Sequence, residues 1–423
     1  MRIFVTKKVV IVGQGYVGLP VAMRAVEVGF DVVGLDCDKT RVDQLRQAQS
    51  FVGDVTSSTL RRALDSLRYL PTTDYADAQG FDVAVITVPT PLRETLPDLS
   101  FIEDAAAMLA PSVTPGATVI LESTTYPGTT EELLVPILEQ HSGLRAGRDF
   151  HVGYSPERID PGNKRWGFVE TPKVISGVDG PSLEAVRGFY DILVDTTVPV
   201  STPREAELTK LLENTFRHVN IALVNELAIF AHQLNIDIWE AIDAASTKPF
   251  GYLRFTPGPG VGGHCLPVDP SYLSWQVRRQ LGQSFRFVEL ANDVNDHMPH
   301  YVVERVVRLL NECSRAVKGS QIFLIGLAYK RNTGDIREAP SLKLIKLLLE
   351  LGAILSGVDP YVEWQRWPEE VERRPLTQGT LDEADLAIIV TDHECFDLRL
   401  LSNTSTTVFD TRNCLSEGTA HTL

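Results

Sequence analysis

A chain of 423 residues is too long for one ordinary hydrophobic core, so two or three domains are expected. Its formal net charge of -15 argues against nucleic acid as the main partner, and no apolar run is long enough to span a bilayer. The five cysteines form no Cys-x-x-Cys pair and the N-terminus carries no secretory signal, so we expect a cytoplasmic protein without a metal site.

The first predicted element is a buried parallel strand, Val9–Val12, and the glycine-rich loop Gly13-Gln-Gly-Tyr-Val-Gly18 follows it directly. A helix is predicted from this loop through about Val28, and a second strand, Asp31–Leu35, ends before Asp36. The glycines let the backbone and the helix N-terminus approach a pyrophosphate. A lone G-x-G-x-x-G is weak evidence and fits an ordinary tight turn. A strand before it, a helix after it and an acid at this spacing indicate a dinucleotide site.

Asp36 decides which dinucleotide is expected. Its carboxylate would accept hydrogen bonds from the adenine-ribose hydroxyls and would repel a 2′-phosphate, so NAD is predicted rather than NADP. Arg41 follows soon after and has two interpretations, a position near the adenosine or an ordinary place on a solvated helix face.

Three further predicted strands end just before residues that can meet a ligand. They are Phe81–Val88 before Thr90, Ala117–Leu121 before Thr124, and a short strand within His151–Arg158 that turns into a loop before Glu157. In an open parallel sheet, ligands bind beyond the carboxyl ends of the strands. Thr90 and Thr124 therefore face the cofactor or the substrate, unless they only cap helices. Glu157 is a buried functional carboxylate or, by default, a solvent-facing one.

A long helix is predicted from Arg204 to Asn235, where apolar residues recur at spacings of three and four. Lys210, Asn214 and His218 share one stripe of this helix, because each is four positions from the next. The stripe is either a solvent-exposed edge of the helix or the lining of a pocket. The helix itself suits a connection between domains or a subunit interface.

The segment Phe255–Pro270 is rich in glycine and proline, and neither an amphipathic helix nor an alternating strand is predicted within it. We therefore expect a loop whose backbone approaches another group closely. Cys265 follows Gly262 and Gly263, so its sulfur is predicted to be a covalent nucleophile, with Asp269 four residues on. The competing interpretation is a buried core cysteine, which would need no such loop.

The C-terminal part repeats the α/β pattern of the N-terminal part. The predicted elements are helix from about Tyr272 to Glu312 with a polar interruption at Asn292–Asp296, strands Ile322–Ile325, Ala353–Val358 and Ala384–Val390, and a helix from about Ser341 to Glu350. The fold class is therefore α/β, with two Rossmann-like doubly wound parallel-sheet domains joined by a central helical region. No pattern is readable after Asn413.

The second α/β part lacks G-x-G-x-x-G and instead carries a charged segment. Its members are Lys330, Arg331, Asp335 and Arg337. Such a segment suits a phosphate-bearing ligand other than the dinucleotide, although charged loops are usually only solvated.

An NAD site and a reactive thiol together predict the oxidation of a primary alcohol to a carboxylate. Hydride transfer from a primary alcohol gives an aldehyde, which a Cys265 thiolate holds as a thiohemiacetal. Loss of a second hydride gives a thioester that water cleaves to a carboxylate. Lys210 is a candidate to stabilise the oxyanion, and Asp269 and Glu157 are candidates for base or water-positioning duties.

These residues resemble the UDP-glucose/GDP-mannose dehydrogenase family, the nucleotide-sugar 6-dehydrogenases. The resemblance covers almost the whole chain. Besides the first glycine loop it rests on Val88-Pro-Thr90, Glu122-Ser-Thr124, Ser155-Pro-Glu157, Glu207-x-x-Lys-x-x-x-Asn214, Gly262-Gly-x-Cys265-x-x-x-Asp269, and Gly326-Leu-x-Tyr-Lys330 with Asp335-x-Arg337.

The resemblance implies a four-electron, NAD-dependent oxidation of the C6 hydroxymethyl of a nucleotide sugar to the uronic acid. The implied catalytic residues are Cys265 as nucleophile, its partners Lys210, Asn214 and Asp269, and Glu157 and Thr124, which order water. The predicted cofactor-binding residues are Gly13, Gly15, Tyr16, Val17, Gly18, Asp36, Arg41, Val88, Pro89, Thr90, Thr124 and Arg337. The predicted substrate-binding residues are Glu157, Arg158, Lys210, Asn214, His218, Tyr252, Arg254, Gly262 and Lys330.

The resemblance also implies the organisation of the chain. We expect an NAD-binding Rossmann domain at 1–203, a central helical and dimerisation domain with the cysteine loop at 204–312, and a nucleotide-sugar-binding Rossmann-like domain at 313–423. A homodimer built on the central helices is implied, with Arg254 reaching the neighbouring subunit's substrate. No nucleic-acid or membrane partner is expected.

The sequence departs from the UDP-glucose branch of the family at one position. Val268 stands where that branch usually has a lysine, and the cysteine loop and Lys330-Arg-Asn332 look more like the branch that acts on UDP-N-acetylhexosamines. A dTDP-sugar stays open. Two other functions also stay open: a two-electron hydroxy-acid dehydrogenase, which would have no use for Cys265, and a non-catalytic nucleotide-sugar sensor.

Overall fold

The structure, a computed structural model, describes residues 7–93, 96–159, 163, 165–263, 265–416 and 418–423, with the backbone alone for residues 92 and 265–268. Its contacts divide the chain into two compact units, residues 1–213 and residues 214–423. One long helix, Pro203–Gln233, contributes residues to both.

Unit 1 alternates strands and helices along most of its length. Its strands are β1 Lys8–Val12, β2 Asp31–Leu35, β3 Tyr69–Thr72, β4 Val83–Ile86, β5 Leu92–Arg93, β6 Leu96–Pro97, β7 Thr118–Leu121, β8 His151–Tyr154, β9 Lys173–Gly177 and β10 Thr197–Pro199. Its helices are α1 Gly18–Glu27, α2 Lys39–Arg46, α3 Ser57–Asp65, α4 Ser100–Leu109, α5 Val135–Ser142, α6 Gly180–Leu193 and the first part of α7 Pro203–Gln233. A π-helical turn, Thr130–Leu134, precedes α5.

Eight strands of the described part of unit 1 form one sheet in the order β10-β9-β8-β7-β4-β1-β2-β3. Val9, Val10 and Ile11 of β1 are fully buried, so both faces of the central strands are covered, as a parallel sheet requires. The pairs from β3 across to β8 are parallel, but β8 and β9 are antiparallel. This reversal is a departure from the wholly parallel sheet that the sequence predicts.

The carboxyl ends of the parallel strands bring separate parts of unit 1 to one edge of the sheet. The segments that follow these ends are Gly13–Gly18 after β1, Asp36 after β2, Thr87–Thr90 after β4, Glu122–Thr124 after β7 and Ser155–Glu157 after β8. Because β9 runs in the opposite direction to β8, its first residue, Lys173, lies at the same edge.

Unit 2 begins with helices and ends with a second sheet. Its elements are the rest of α7, α8 Ile238–Ser246, α9 Cys265–Leu281, α10 Arg286–Glu312, β11 Gln321–Ile325, α11 Pro340–Glu350, β12 Ile354–Val358, β13 Glu372–Arg373, α12 Gln378–Asp382, β14 Leu386–Ile389, α13 Arg399–Ser402, β15 Thr407–Asp410 and β16 His421–Thr422. The sheet order is β13-β12-β11-β14-β15-β16, and these pairs are parallel.

Alternate residues of β11 pack into two different hydrophobic clusters, Ile322 and Leu324 on one face and Phe323 and Ile325 on the other. The second sheet is therefore also covered on both faces. The predicted fold class, α/β with two Rossmann-like sheets and helices between them in sequence, is confirmed. The domain boundaries at 203 and 312 remain predictions.

Several predicted elements differ from the structure. The loop predicted over Phe255–Pro270 ends early, because α9 begins at Cys265. The polar segment Asn292–Asp296 does not interrupt the helices. It lies inside α10, and the break comes instead at residues 282–285, where Gly282 has a φ of +66°. The strand β16 lies in the tail to which no structure was assigned. None of the described helices combines the length and the apolar character needed to cross a membrane.

Candidate active site

The glycine-rich loop after β1 has the backbone that a dinucleotide fold requires. Gly13 has a φ of +93°, and a Cβ there would lie 2.9 Å from the Thr87 carbonyl oxygen. A Cβ at Gly18 would lie 1.8 Å from the Gly13 carbonyl oxygen, so only glycine allows α1 to start there. At Gly15 no described atom lies within 4 Å of a Cβ, and α1 begins without a side-chain cap. The loop therefore offers space and a helix N-terminus to a pyrophosphate.

Thr87 holds this loop in place and was not among the predicted site residues. Its hydroxyl lies 2.9 Å from the Val12 carbonyl oxygen and 2.8 Å from that of Gly13. A threonine is an ordinary residue at the end of a strand, so nothing in the local sequence indicates this role. Tyr16 is exposed and Val17 is half-buried in the same loop.

Asp36 is buried at the end of β2 and is held by three donors. Its Oδ2 accepts from the Gln14 backbone N–H at 2.8 Å and from the Arg41 guanidinium at 2.8 Å, and its Oδ1 accepts from the Asp38 N–H at 3.0 Å. Arg41 also lies over the Phe51 ring at 5.4 Å. Arg41 is therefore paired with the acid, and its position near the adenosine stays a prediction. The loop and this carboxylate fit an NAD molecule.

The loops after β4 and β7 are tied together. The Ser123 hydroxyl donates to the Val88 carbonyl oxygen at 2.8 Å. Val88 is half-buried, Pro89 is exposed and Thr90 is buried, while Thr124 is half-buried beside Ser123. Both predicted threonines therefore lie at the strand ends from which they were inferred.

The Glu157 side chain is 12% exposed, so it is not the solvent-facing carboxylate of the default interpretation, and its functional role stays a prediction. Its Oε1 accepts from the backbone N–H groups of Arg158 and Ile159, both at 2.7 Å. Its own carbonyl oxygen accepts from the Lys210 ammonium at 2.5 Å. Arg158 forms an ion pair with Glu213 at 2.5 Å, so its guanidinium is partly used within unit 1.

A buried network that the sequence analysis missed surrounds Glu157. The Lys173 Nζ lies 2.7 Å from Glu122 Oε1 and 3.1 Å from Glu157 Oε2, and the Tyr190 hydroxyl donates to Glu122 Oε1 at 2.5 Å. Burial raises the pKa of Glu122, although Lys173 opposes it. Burial would also raise the pKa of Glu157, but Lys173 and the Ile159 N–H lower it below its ordinary value. Glu157 is therefore the ionised carboxylate of the pair.

In unit 2, Asn214 and His218 of the polar stripe on α7 are buried, so this part of the stripe is not a solvated helix edge. The Asn214 amide donates to Asp269 Oδ2 at 2.5 Å. His218 Nε2 lies 2.7 Å from the Asn292 side-chain oxygen, and burial lowers the pKa of His218. Asp269 is 2% exposed. Asn214 and Asp269 therefore form a preformed pair.

The two glycines before the cysteine pack against the charged segment that follows β11. A Cβ at Gly262 would lie 2.7 Å from the Glu338 carbonyl oxygen. Gly263 has a φ of +89°, its N–H donates to the Arg337 carbonyl oxygen at 3.1 Å, and a Cβ there would lie 2.8 Å from the Tyr329 ring. The expectation of a close backbone approach is therefore met within unit 2.

The charged segment is not a set of free cations. Arg331 pairs with Asp392, and Arg337 pairs with Asp335 at 2.6 Å. Lys330 is half-buried. Arg412, which the sequence analysis overlooked, is half-buried by accessible surface, with its Nε donating to the Val390 carbonyl oxygen at 2.7 Å and its guanidinium beside Gly258.

Asp359 occupies the place in unit 2 that Asp36 occupies in unit 1, directly after the second strand. Its oxygens accept from the backbone N–H groups of Leu327, Ala328, Tyr361 and Val362 at 2.8 to 3.2 Å. The buried His393 lies 2.8 Å from the same carboxylate. Burial would raise the pKa of Asp359, but His393 and the N–H groups lower it.

The remaining predicted site residues are described only in part. Cys265 is the first residue of α9, and its side chain lies outside the described residues. Arg254 is exposed and pairs with Asp243 at 2.8 Å, and Tyr252 is half-buried. Within the described ranges, no group of three or more His, Cys, Asp or Glu side chains is arranged to hold a metal ion.

Comparison with known proteins matches three family models to successive parts of the chain. Residues 7–194 match the model of the NAD binding domain of the UDP-glucose/GDP-mannose dehydrogenase family, residues 204–297 that of its central domain, and residues 323–417 that of its UDP binding domain. The chain belongs to the UDP-glucose/GDP-mannose dehydrogenase family. It is therefore an oxidoreductase that uses NAD, acts on a CH–OH group and carries the family's UDP-binding domain.

Relatives within the UDP-glucose/GDP-mannose dehydrogenase family extend over nearly the whole chain. UDP-N-acetyl-D-mannosamine dehydrogenase of Pyrococcus horikoshii is 36% identical over 393 residues, which cover 92% of this chain and 90% of that protein. UDP-N-acetyl-D-glucosamine 6-dehydrogenase of Pseudomonas aeruginosa is 36% identical over 420 residues and 97% of each chain. A solved structure of UDP-D-ManNAc dehydrogenase from Pyrococcus horikoshii has a TM-score of 0.88, with 32% identity over 97% of this chain and 96% of that one.

Proposed function

We propose that this protein oxidises the C6 hydroxymethyl of a UDP-N-acetylhexosamine to the uronic acid with two NAD, through a covalent adduct on Cys265. The observation that carries the proposal is the position of Cys265, which is the first residue of α9 and follows Gly262 and Gly263. A helix N-terminus favours the thiolate form of a cysteine. A thiolate also needs a reducing compartment, which supports the predicted cytoplasmic location.

The reaction balances in four steps. The C6 alcohol loses a proton and a hydride to become an aldehyde, and the Cys265 thiolate adds to its carbonyl carbon to give a thiohemiacetal. A second hydride leaves this carbon, so the adduct becomes a thioester. Water then adds, the carbon–sulfur bond breaks, and the carboxylate, the thiolate and two protons result. Bound NAD supplies the hydride acceptor for both oxidations.

Three groups of residues support these steps. Lys210 is a buried cation, suited to stabilise the alkoxide and the oxyanion that develop at C6. Asp269 is held by Asn214 at 2.5 Å, so a proton acceptor is fixed one helical turn after Cys265 on α9. Glu157 is ionised, and with Thr124 it is suited to order the water that cleaves the thioester.

The choice of sugar rests on the relatives and on one residue. Proteins named for UDP-N-acetyl-D-mannosamine and UDP-N-acetyl-D-glucosamine are similar to this chain over more than nine-tenths of its length. Val268 stands where the UDP-glucose branch usually has a lysine. A panel of UDP-N-acetylhexosamines, UDP-glucose and dTDP-glucose would separate the remaining candidates by kcat/KM.

A homodimer belongs to this proposal. The helix α7 exposes an apolar stripe whose members are three, four or seven positions apart. They are Leu208, Leu212, Phe216, Leu223, Leu227 and Phe230. A stripe of this kind on a helix is unusual for a surface left in water, and a second copy of the chain is the occupant that self-complementary packing favours. Arg254 would then reach the partner's substrate, as the family resemblance implies.

The decisive experiment counts NADH and tests Cys265. We expect two NADH per sugar oxidised and loss of carboxylate formation in Cys265→Ser, while Cys313→Ser, at an exposed cysteine, keeps full activity. A yield of one NADH would favour the two-electron hydroxy-acid dehydrogenase. Nucleotide-sugar binding with no turnover in the wild type would favour the sensor.

A further inference from the structure

The reversal of strand direction at β9 places a lysine beside the Glu157 carboxylate. The antiparallel register pairs Gly153 with Gly177 and Tyr154 with Ser176. Continued past the end of β8, this register brings Lys173 opposite Glu157. The Ser155 hydroxyl fixes the register there, because it donates to the Val174 carbonyl oxygen at 2.8 Å.

Lys173 is enclosed on every side. Its side chain is 4% exposed, and its ammonium lies between two carboxylates, 2.7 Å from Glu122 and 3.1 Å from Glu157. It also lies over the rings of Phe168 and Tyr190, at 5.4 and 5.3 Å. A buried ammonium with these contacts has one orientation, and it fixes both carboxylates.

The two carboxylates are not equivalent. Glu157 Oε1 accepts two backbone N–H groups, whereas Glu122 Oε2 is buried and has no hydrogen-bond partner in the described part of the chain. An unpartnered buried oxygen is a poor place for negative charge. The proton of the network therefore belongs on Glu122, and Glu157 keeps its charge.

We propose that Lys173 is a positioning residue for the reaction, which holds the Glu157 carboxylate in place and ionised for thioester cleavage. This inference rests on the proposed function. Among the described residues, the charged and titratable groups that face Glu157 are Lys173 from β9, Glu122 from the end of β7, Lys210 from α7 and, through Glu122, Tyr190 from α6. In this part of the chain, Lys173 is the group whose ammonium bonds the Glu157 carboxylate directly.

The test is the pH profile of kcat with Lys173→Met. Without the ammonium, a buried Glu157 holds its proton to higher pH, so the acidic limb should move up by about one pH unit or more. Below that limb, the variant should accumulate a Cys265-linked thioester, visible by intact-protein mass spectrometry. Lys173→Arg keeps a cation and should restore much of the wild-type profile.

Glu122→Gln is the matched control. It replaces the protonated carboxyl of the same buried network by a neutral amide, and it leaves the contact between Lys173 and Glu157. Its acidic limb should stay at the wild-type pH or move lower. Where Lys173→Met alone is unstable, the double variant with Glu122→Gln, which also replaces the carboxyl that has lost its lysine partner, gives the same test.

Two kinds of failure are distinguishable. A Lys173→Met or double-variant profile that overlays the wild type, with no accumulated adduct, would overturn the role of Lys173 while the proposed function stands. One NADH per sugar in the wild type, or carboxylate formation that survives in Cys265→Ser, would remove the proposed function itself.

Discussion

At the scale of single residues, Asp36 shows how a carboxylate becomes a fixed recognition element. Three donors hold it, the N–H groups of Gln14 and Asp38 and the guanidinium of Arg41, so its oxygens cannot turn away from a ligand beside the loop. A 2′-phosphate would meet a negative charge there. The same phosphate would find a cation in Arg41 if the acid were absent.

Asp36→Ser should change the cofactor preference. Loss of the repulsion frees Arg41 for a 2′-phosphate, and the ratio of kcat/KM for NADP over NAD should rise by roughly tenfold or more, since 1.4 kcal/mol is a factor of ten. Steady-state kinetics with both cofactors measure this ratio. Asp43→Ser, on the outer face of α2, is the control and should leave it unchanged. An equal ratio in Asp36→Ser and the wild type would contradict the assignment.

At the scale of elements, one buried side chain joins α7 to the start of the π-helical turn. Glu207 accepts from the N–H groups of Gly128 and Thr130 at 2.5 and 2.9 Å and from the Thr130 hydroxyl at 2.7 Å. It thus caps Thr130–Leu134 from another helix. Burial raises the pKa of Glu207 to about 7, against the lowering effect of its three donors.

The stability of unit 1 should therefore fall as pH rises from about 4.5 to about 7. In that range the folded protein retains the Glu207 proton while the unfolded chain loses it, and the effect amounts to about 3 kcal/mol. Glu207→Gln removes the titrating group. The free energy of unfolding of the wild type should therefore fall relative to that of this variant as the pH rises from about 4.5 to about 7. Unfolding of both proteins by urea, followed at several pH values, measures the difference.

The control for this prediction is Glu103→Gln, at an exposed position on α4. Its stability should follow the wild type at every pH. A difference between the wild type and Glu207→Gln that stays constant from pH 4.5 to pH 8 would contradict the prediction.

At the scale of the whole molecule, the exposed face of α7 is the main feature that a single chain leaves unexplained. In Leu223→Asp/Phe230→Asp, two charges enter a face that a symmetric dimer would bury twice. We expect the dimer to dissociate at least roughly a hundredfold more readily, because each buried apolar side chain contributes about 1.5 to 3 kcal/mol and a symmetric dimer buries each one twice. Light scattering across a range of concentrations measures this.

Leu351→Asp places the same charge at an exposed leucine away from α7 and should leave the mass unchanged. A wild-type protein with the mass of one chain at every concentration would contradict the dimer. An unchanged mass in the double variant would show that another surface forms it.

Much of the fold could be predicted because its determinants are local. Runs such as Val9–Val12 and Ile322–Ile325 are β-branched or aliphatic and end at glycines, so strand and turn are both visible. The start of α9 was hidden because prolines argue against helix, yet Pro267 falls in the first turn, where an N–H is not needed. The polar residues within α10 were mistaken for a break, because their partners His218 and Asn225 lie on another helix.

The residues of the candidate site could be predicted where they belong to a sequence motif. They could not be predicted where only the pairing of two strands brings them to the site. Gly13, Asp36, Glu157 and Asp269 stand at recognisable spacings. Lys173 belongs to no sequence motif. It reaches Glu157 because β9 runs antiparallel to β8. Long-range pairing of that kind leaves no periodicity in the sequence.

The aspartate that follows the second strand has different hydrogen-bond partners in the two sheets, Asp36 in the first and Asp359 in the second. Asp359 gives its lone pairs to four amides and a histidine of its own domain, and no ribose could claim them without dismantling the loop they hold. We therefore expect that the second sheet does not recognise a dinucleotide through this carboxylate. In that case NAD binds at the first sheet, and the sugar nucleotide does not compete with it at the second.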